Sequence, residues 1–192
     1  MDDQHAIPPS TLLKAACVFY GVAIVVAYAY AFFFGDTTTL LGETTATGRG
    51  LGTGVALGLG IALVCHGLYR ISRYLRRASD ALGALLGPIT PAQGILLGVV
   101  SGFSEELLFR GALWEHLGLW GSSLLFGLLH FIPVRALAFY PIFAFLAGVG
   151  MGVLRERTGS VWPPVATHVT VNAINLSFLG WMQRKSYTGP LE

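Results

Sequence analysis

Long apolar runs, separated by polar or by glycine- and proline-rich breaks, fill most of this chain. A helix needs roughly 20 apolar residues to cross about 30 Å of hydrocarbon. Runs of that order extend from Thr11 to Phe34, Leu51 to Tyr69, Pro91 to Leu117 and Ala136 to Leu154. Two further segments, Ser122 to Ile132 and Pro164 to Trp181, are shorter or more polar but keep helical apolar character between Gly and Pro breaks. The pattern predicts an all-α fold, a polytopic membrane helical bundle of about six transmembrane helices, because only structures that satisfy their own backbone cross lipid. It is read as a single integral-membrane domain over 1–192, with a polar N-terminal tail at 1–10 and a polar C-terminal tail at 182–192. Between the first two runs, Gly35 to Gly50 is rich in Thr and Gly and reads as a polar loop.

Composition supports the same solvent. Of 192 residues, 54% are hydrophobic and 11% charged, where a soluble domain carries about a quarter charged. A net charge of +2 is too small and too scattered for a nucleic-acid partner. The charges mark segment ends: Arg70, Arg73, Arg76 and Arg77 recur at helical spacing around Ile71, Tyr74 and Leu75, as on a helix lying in the interface. This is the strongest cytoplasmic marker in the chain. With six crossings it puts the N-terminus, Arg184 and Lys185 inside, and Arg155 and Arg157 outside. A five-crossing chain, with Ser122 to Ile132 re-entrant, reverses that trade. The start lacks the basic residues of a signal peptide, and the apolar run continues past Ala27-Tyr28-Ala29, so the first span is expected to stay uncleaved.

Small residues recur four apart at Gly50, Gly54 and Gly58, at Gly94, Gly98 and Gly102, and at Gly148 and Gly152. Such stripes let helix backbones approach closely in lipid, within one chain or across a homo-oligomer seam. Cys17 and Cys65 each sit inside an apolar stretch and read as small buried hydrophobes without a disulfide.

One span carries charge at its centre. Ser104-Glu105-Glu106-Leu107-Leu108-Phe109-Arg110 places two carboxylates and a guanidinium in the third run, where each unpaired charge would cost at least a few kcal/mol. Glu106 and Arg110 stand four apart with the acid first, the better order for a helical pair. Glu105 lies about 100° around the helix, beyond that pairing, and is the candidate base. Two later segments add an aromatic with a histidine, Phe126 and His130, and a histidine with an amide, His168 and Asn172, each at a spacing of one helical face. At 1.5 Å per residue, Glu105 lies about 9 Å, His130 and Asn172 about 12 Å, and His168 about 6 Å from one boundary of a 30 Å core. All four therefore share a layer. Glu115, His116, His66 and His5 fall near helix ends or in the tail and are left out of the site.

In order and spacing, Glu105-Glu106-x-x-x-Arg110, Phe126-x-x-x-His130 and His168-x-x-x-Asn172 resemble the three motifs of the CAAX protease and bacteriocin-processing family of membrane endopeptidases, also called the Abi family. The resemblance covers residues 94–175. It implies a bacterial inner-membrane peptidase of the glutamic type, needing no cofactor and cutting a membrane-anchored protein or peptide. Glu105 and His130 would activate a water, His168 and Asn172 would stabilise the oxyanion, and Glu106, Arg110 and Phe126 would support them. Each role is chemically sound, since a carboxylate with an imidazole makes a general base and an amide or imidazolium donates to developing charge. A divalent metal such as zinc on Glu105, His130 and His168 is the alternative, although the chain has no His-Glu-x-x-His helix. A non-catalytic scaffold, immunity or transport protein is the other. The catalytic layer nearer the outer face favours an exported C-terminal anchor or sorting signal as substrate over a prenylated cytosolic tail.

Overall fold

The computed structural model describes residues 8–35, 37, 40–42 and 47–186, with the side chains of 47–49 excepted. Residues 1–7 and 187–192 of the two polar tails, with His5, lie outside the described residues. Seven α-helices follow in order: α1 Pro9–Phe34, α2 Thr47–Ile71, α3 Arg73–Leu86, α4 Pro91–Glu106, α5 Trp114–Leu129, α6 Tyr140–Thr158 and α7 Trp162–Ser186. A π-helical segment, Leu107–Ala112, extends α4, and a 3₁₀ turn, Arg135–Leu137, precedes α6.

Four helical segments are long and apolar enough to cross a membrane: Pro9–Phe34, Gly50–Ile71, Pro91–Ala112 and Arg135–Thr158. The chain is thus an integral membrane protein; four such helices are found among the described residues, and the expected six are not confirmed. The two segments that fall short are those with the weakest pattern. Helix α5 is a single 16-residue element interrupted at Gly118, whose φ of 57° is the left-handed turn that reverses the chain. Helix α7 has length enough, at 25 residues, but is too polar. Its position explains why: it is clasped between α2 and α4, so most of its neighbours are protein rather than lipid.

The glycine stripes build that clasp. A methyl group on Gly58 would fall 2.6 Å from Thr170, one on Gly94 2.6 Å from the Ser177 nitrogen, and one on Gly98 2.6 Å from the Ala173 Cα. Gly148 faces Ser123, and Gly152 faces Leu119 and Trp114. All three stripes are therefore filled by helices of the same chain. Thr167 adds a hydrogen bond from α7 to the Gly54 carbonyl, 3.0 Å.

Two expectations change. The third apolar run does not continue as one helix to Leu117: the π segment ends it at Ala112, where the Leu113 amide reaches back to the Leu108 carbonyl at 2.9 Å. Cys17 is exposed on the outer face of α1, and Cys65 is only partly buried. The arginine-rich stretch, by contrast, does form its own helix. Ser72 breaks α2 from α3 and caps the new helix by accepting from the Leu75 amide, while Arg76 donates to the Tyr69 and Arg70 carbonyls at the end of α2.

The close approaches fix chain directions. Helix α4 runs antiparallel to α7, since Gly94, Gly98 and Gly102 meet Ser177, Ala173 and Val169. Helix α2 runs parallel to α7, from Gly50 beside Pro163 to His66 beside Phe178. One end of the bundle thus gathers the start of α1, helix α3, the turn at Arg135 and the end of α7 with Arg184 and Lys185. The other holds Arg155, Arg157, Glu115 and the start of α7.

Candidate active site

The clasp sets the register of the polar groups. With Gly102 against Val169, the next turn of α4 must stand beside His168, and it carries Glu105 and Glu106. Glu106 and Arg110 are both fully buried and paired, Nη1 to Oε1, at 3.1 Å. Arg110 also donates from Nη2 to the Gly148 carbonyl of α6 at 2.7 Å, and its guanidinium lies 4.8 Å from the Phe126 ring centre. A buried guanidinium is held only where its charge is so met; the Arg110 Nε is buried without a hydrogen-bond partner among the described residues. Arg155 secures the segment from behind, donating from Nε to the Arg110 carbonyl at 3.1 Å.

His168 bridges the two glutamates. Its Nδ1 is 2.8 Å from Glu106 Oε1 and its Nε2 is 3.7 Å from Glu105 Oε2. His130, at the C-terminal end of α5, places Nδ1 2.7 Å from the Phe126 carbonyl and Nε2 3.8 Å from the same Glu105 oxygen. A carboxylate and a carbonyl only accept, so each Nδ1 carries a proton and each ring turns its Nε2 towards Glu105. Glu105 Oε2 is itself buried without a hydrogen-bond partner. Three polar atoms from three helices thus converge on one point.

Glu105, His130 and His168, chosen from spacing alone, are brought together. Phe126 packs between them, its ring centre 4.3 Å from that of His130 and 5.8 Å from that of His168. Asn172 lies one turn along α7 and does not meet Glu105; its Nδ2 donates to the Ser101 hydroxyl at 3.1 Å. His130, His168 and Asn172 line a cavity of about 480 Å³ with Tyr140, Phe143 and apolar residues of α2 and α6. A second cavity of about 260 Å³ beneath α3 shares Tyr140, Phe143, Val171 and Asn172 with it.

Sequence reasoning missed three polar neighbours. Ser101 stands one turn before Glu105 and was findable by helical spacing. Tyr20 of α1 interacts with both Glu105 and Ser101, and Tyr140 sits with its ring centre 5.7 Å from that of His130. Neither tyrosine lies in a motif. The residues set aside stay apart from the cluster: His116 packs on Tyr30, and His66 on Phe178. Among the described residues no group of three His, Cys, Asp or Glu side chains is arranged to hold a metal. The 3.7 and 3.8 Å separations exceed the roughly 3.4 Å between tetrahedral ligand atoms about 2.1 Å from zinc.

Comparison with known proteins agrees with the motifs. Over 82 residues the chain is 37% identical to the uncharacterized protein YpbD of Bacillus subtilis (strain 168), a match covering 42% of this chain and 42% of that protein. The match therefore spans less than half the length of that relative. No solved structure matches. Residues 87–174, which hold all three motifs, match the model described as type II CAAX prenyl endopeptidase Rce1-like.

Proposed function

We propose that this protein is an intramembrane endopeptidase that hydrolyses a peptide bond in a membrane-anchored protein. The observation that carries the reading is the convergence of Glu105 Oε2 with the Nε2 atoms of His130 and His168. The Glu105 carboxylate and the His130 Nε2 lone pair are two acceptors beside one point, and a water molecule there supplies a proton to each while keeping a lone pair for attack. Glu105 with His130 takes a proton from that water as its oxygen adds to the peptide carbonyl. His168, flanked by two carboxylates, satisfies both only as an imidazolium. In that form it balances Glu105 and Glu106 together with Arg110 and, with the second N–H of Asn172, donates to the oxyanion. The proton then passes to the leaving amine, giving one new carboxyl and one new amino terminus. No step uses a metal or other cofactor.

Orientation follows from charge. Arg70, Arg73, Arg76, Arg77, Arg135, Arg184 and Lys185 share the α3 end, which we assign to the cytoplasm of a bacterial inner membrane. Two cavities share Tyr140 and Asn172: the smaller lies beneath α3 at that end, and the larger runs from the histidines past Met151 and Leu154 to Arg157 near the opposite end. Self-association has no support from the glycine stripes, which are internal.

The test compares protein termini by mass spectrometry in membranes from cells expressing the intact protein or Glu105→Gln at matched levels. Termini that appear only with the intact protein support the peptidase and reveal the substrate class. Identical profiles in a host with its natural partners would favour a scaffold or transporter. A metal-dependent reaction predicts loss of turnover with a chelator and recovery with zinc; we expect neither. Labelling of Ser160→Cys from the cytoplasmic side would overturn the orientation.

A further inference from the structure

The stretch between α1 and α2, polar by composition, sends one leucine inward. Leu40 is 2% exposed and packs with Ala27 and Ala31 of α1 against Leu107 and Ala112. It sits directly on the π segment: a Cβ on Gly111 would fall 2.7 Å from the Leu40 carbonyl oxygen and 3.0 Å from its Cδ1. The next two residues anchor it. The Val161 amide donates to the Leu41 carbonyl at 3.2 Å, and Gly42 forms an antiparallel bridge with Ser160. Gly42 has a φ of 68°, and a side chain there would strike the Gly159 carbonyl, so the approach needs glycine.

Arg155 grips the same segment from the end of α6. Its Nε donates to the Arg110 carbonyl at 3.1 Å, while its Nη1 lies beside Gly42, 3.1 Å from where a Cβ would stand. Two consecutive residues of the π segment, Arg110 and Gly111, are thus held from outside, and Leu40 lies beyond the stretch matched to the family model. What they hold is the support of the site. Arg110 donates from Nη1 to Glu106 Oε1 at 3.1 Å, and His168 donates from Nδ1 to the same oxygen at 2.8 Å. A series of hydrogen bonds therefore runs from Arg155 through Arg110 and Glu106 to His168, whose Nε2 faces Glu105. A displacement at Arg110 and Gly111 is passed along it to the His168 ring.

We infer that Leu40 and Arg155 are positioning residues: together they clamp the π segment, and through Arg110 and Glu106 they set the place of His168. The kinetic consequence rests on the peptidase reading; the clamp itself does not.

Two measurements on the full chain test it. The first uses lipid nanodiscs and 4-fluorophenylalanine at position 126, where the ring centre lies 4.8 Å from the Arg110 guanidinium. Leu40→Ala and Arg155→Gln should each shift the fluorine resonance. Arg155→Lys, which keeps a cationic donor, should return it most of the way, and Glu156→Gln, exposed at the same helix end, should leave it in place. The second is the rate at which new protein termini appear in host membranes at matched expression. Leu40→Ala and Arg155→Gln should each lower that rate about 10- to 100-fold, as a misplacement of about 1 Å at a catalytic group does. Arg155→Lys should recover most of the loss, and the double variant should lose less than the product of the two single losses, because both act on one segment. A resonance unmoved by either variant overturns the inference, as does one moved as far by Glu156→Gln, or a folded Arg155→Gln protein with the rate of the parent. If the parent makes no termini beyond those of Glu105→Gln, the peptidase reading fails, and the resonance still decides the clamp. Should Leu40→Ala not fold, Arg155→Gln, at a half-buried side chain, keeps the test.

Discussion

Helix α1 and the span carrying the two glutamates are both long enough to cross a bilayer, and they are built on opposite plans. The α1 window has mean hydropathy 2.1 and is 11% buried, while Pro91–Ala112 has 1.2 and is 50% buried. The more apolar helix is the more peripheral one. Inside lipid the outer surface must be apolar everywhere, whereas an inner helix is free to carry Ser, Gln, Glu and Arg provided each finds a partner. Among the four spans hydropathy separates the outermost helix from the innermost, and the chemistry sits where that signal is weakest. Helix α7 takes this furthest: it supplies His168 and Asn172 and falls below the threshold for a span.

If the inner plan is where function resides, the largest effect comes from Glu105→Gln, which keeps shape but removes the base. Turnover should fall at least about 10³-fold, with an unchanged melting curve in detergent; a variant that retains a tenth of the parent rate would sink the assignment. Next is Arg110→Met, which leaves buried Glu106 with His168 alone as its partner and should destabilise by about 3–5 kcal/mol. Denaturant titration followed by tryptophan fluorescence reads this, and a loss below about 1 kcal/mol would show the pair to be solvated. Gly98→Val drives a branched side chain into the Ala173 backbone and should cost about 1–3 kcal/mol, with activity lost because His168 and Asn172 are displaced together. Smallest is Phe33→Leu on the outer face of α1, where the side chain is 71% exposed and the change should fall within about 0.5 kcal/mol. A large effect there would mean that this face is covered by protein.

How much of this was legible follows the same division. The helices that face lipid announced themselves to within a few residues, because a run of apolar side chains is a local property. The three motifs were legible for a different reason: ionisable residues are expensive at mid-membrane, so their presence alone is informative. Tertiary chemistry was harder to read. That His168 would pair with Glu106 while also facing Glu105 depends on the glycine register between α4 and α7, which spacing within either helix does not encode. Tyr20 was invisible because a tyrosine in an aromatic-rich apolar run looks like every other one until its face is known. The early end of the third span was hidden too, since Leu107-Leu108-Phe109-Arg110-Gly111-Ala112 contains no helix breaker apart from one glycine.

The π segment is equivalent to one surplus residue held inside a helix. Removing Leu107, Leu108 or Phe109 would let an ordinary helix re-form there with the residues beyond the segment kept close to their places. Arg110 would then stand three positions from Glu106 instead of four, so the pair that now meets at 3.1 Å would have to be remade. Pairing in this chain is therefore encoded by length as well as by residue identity.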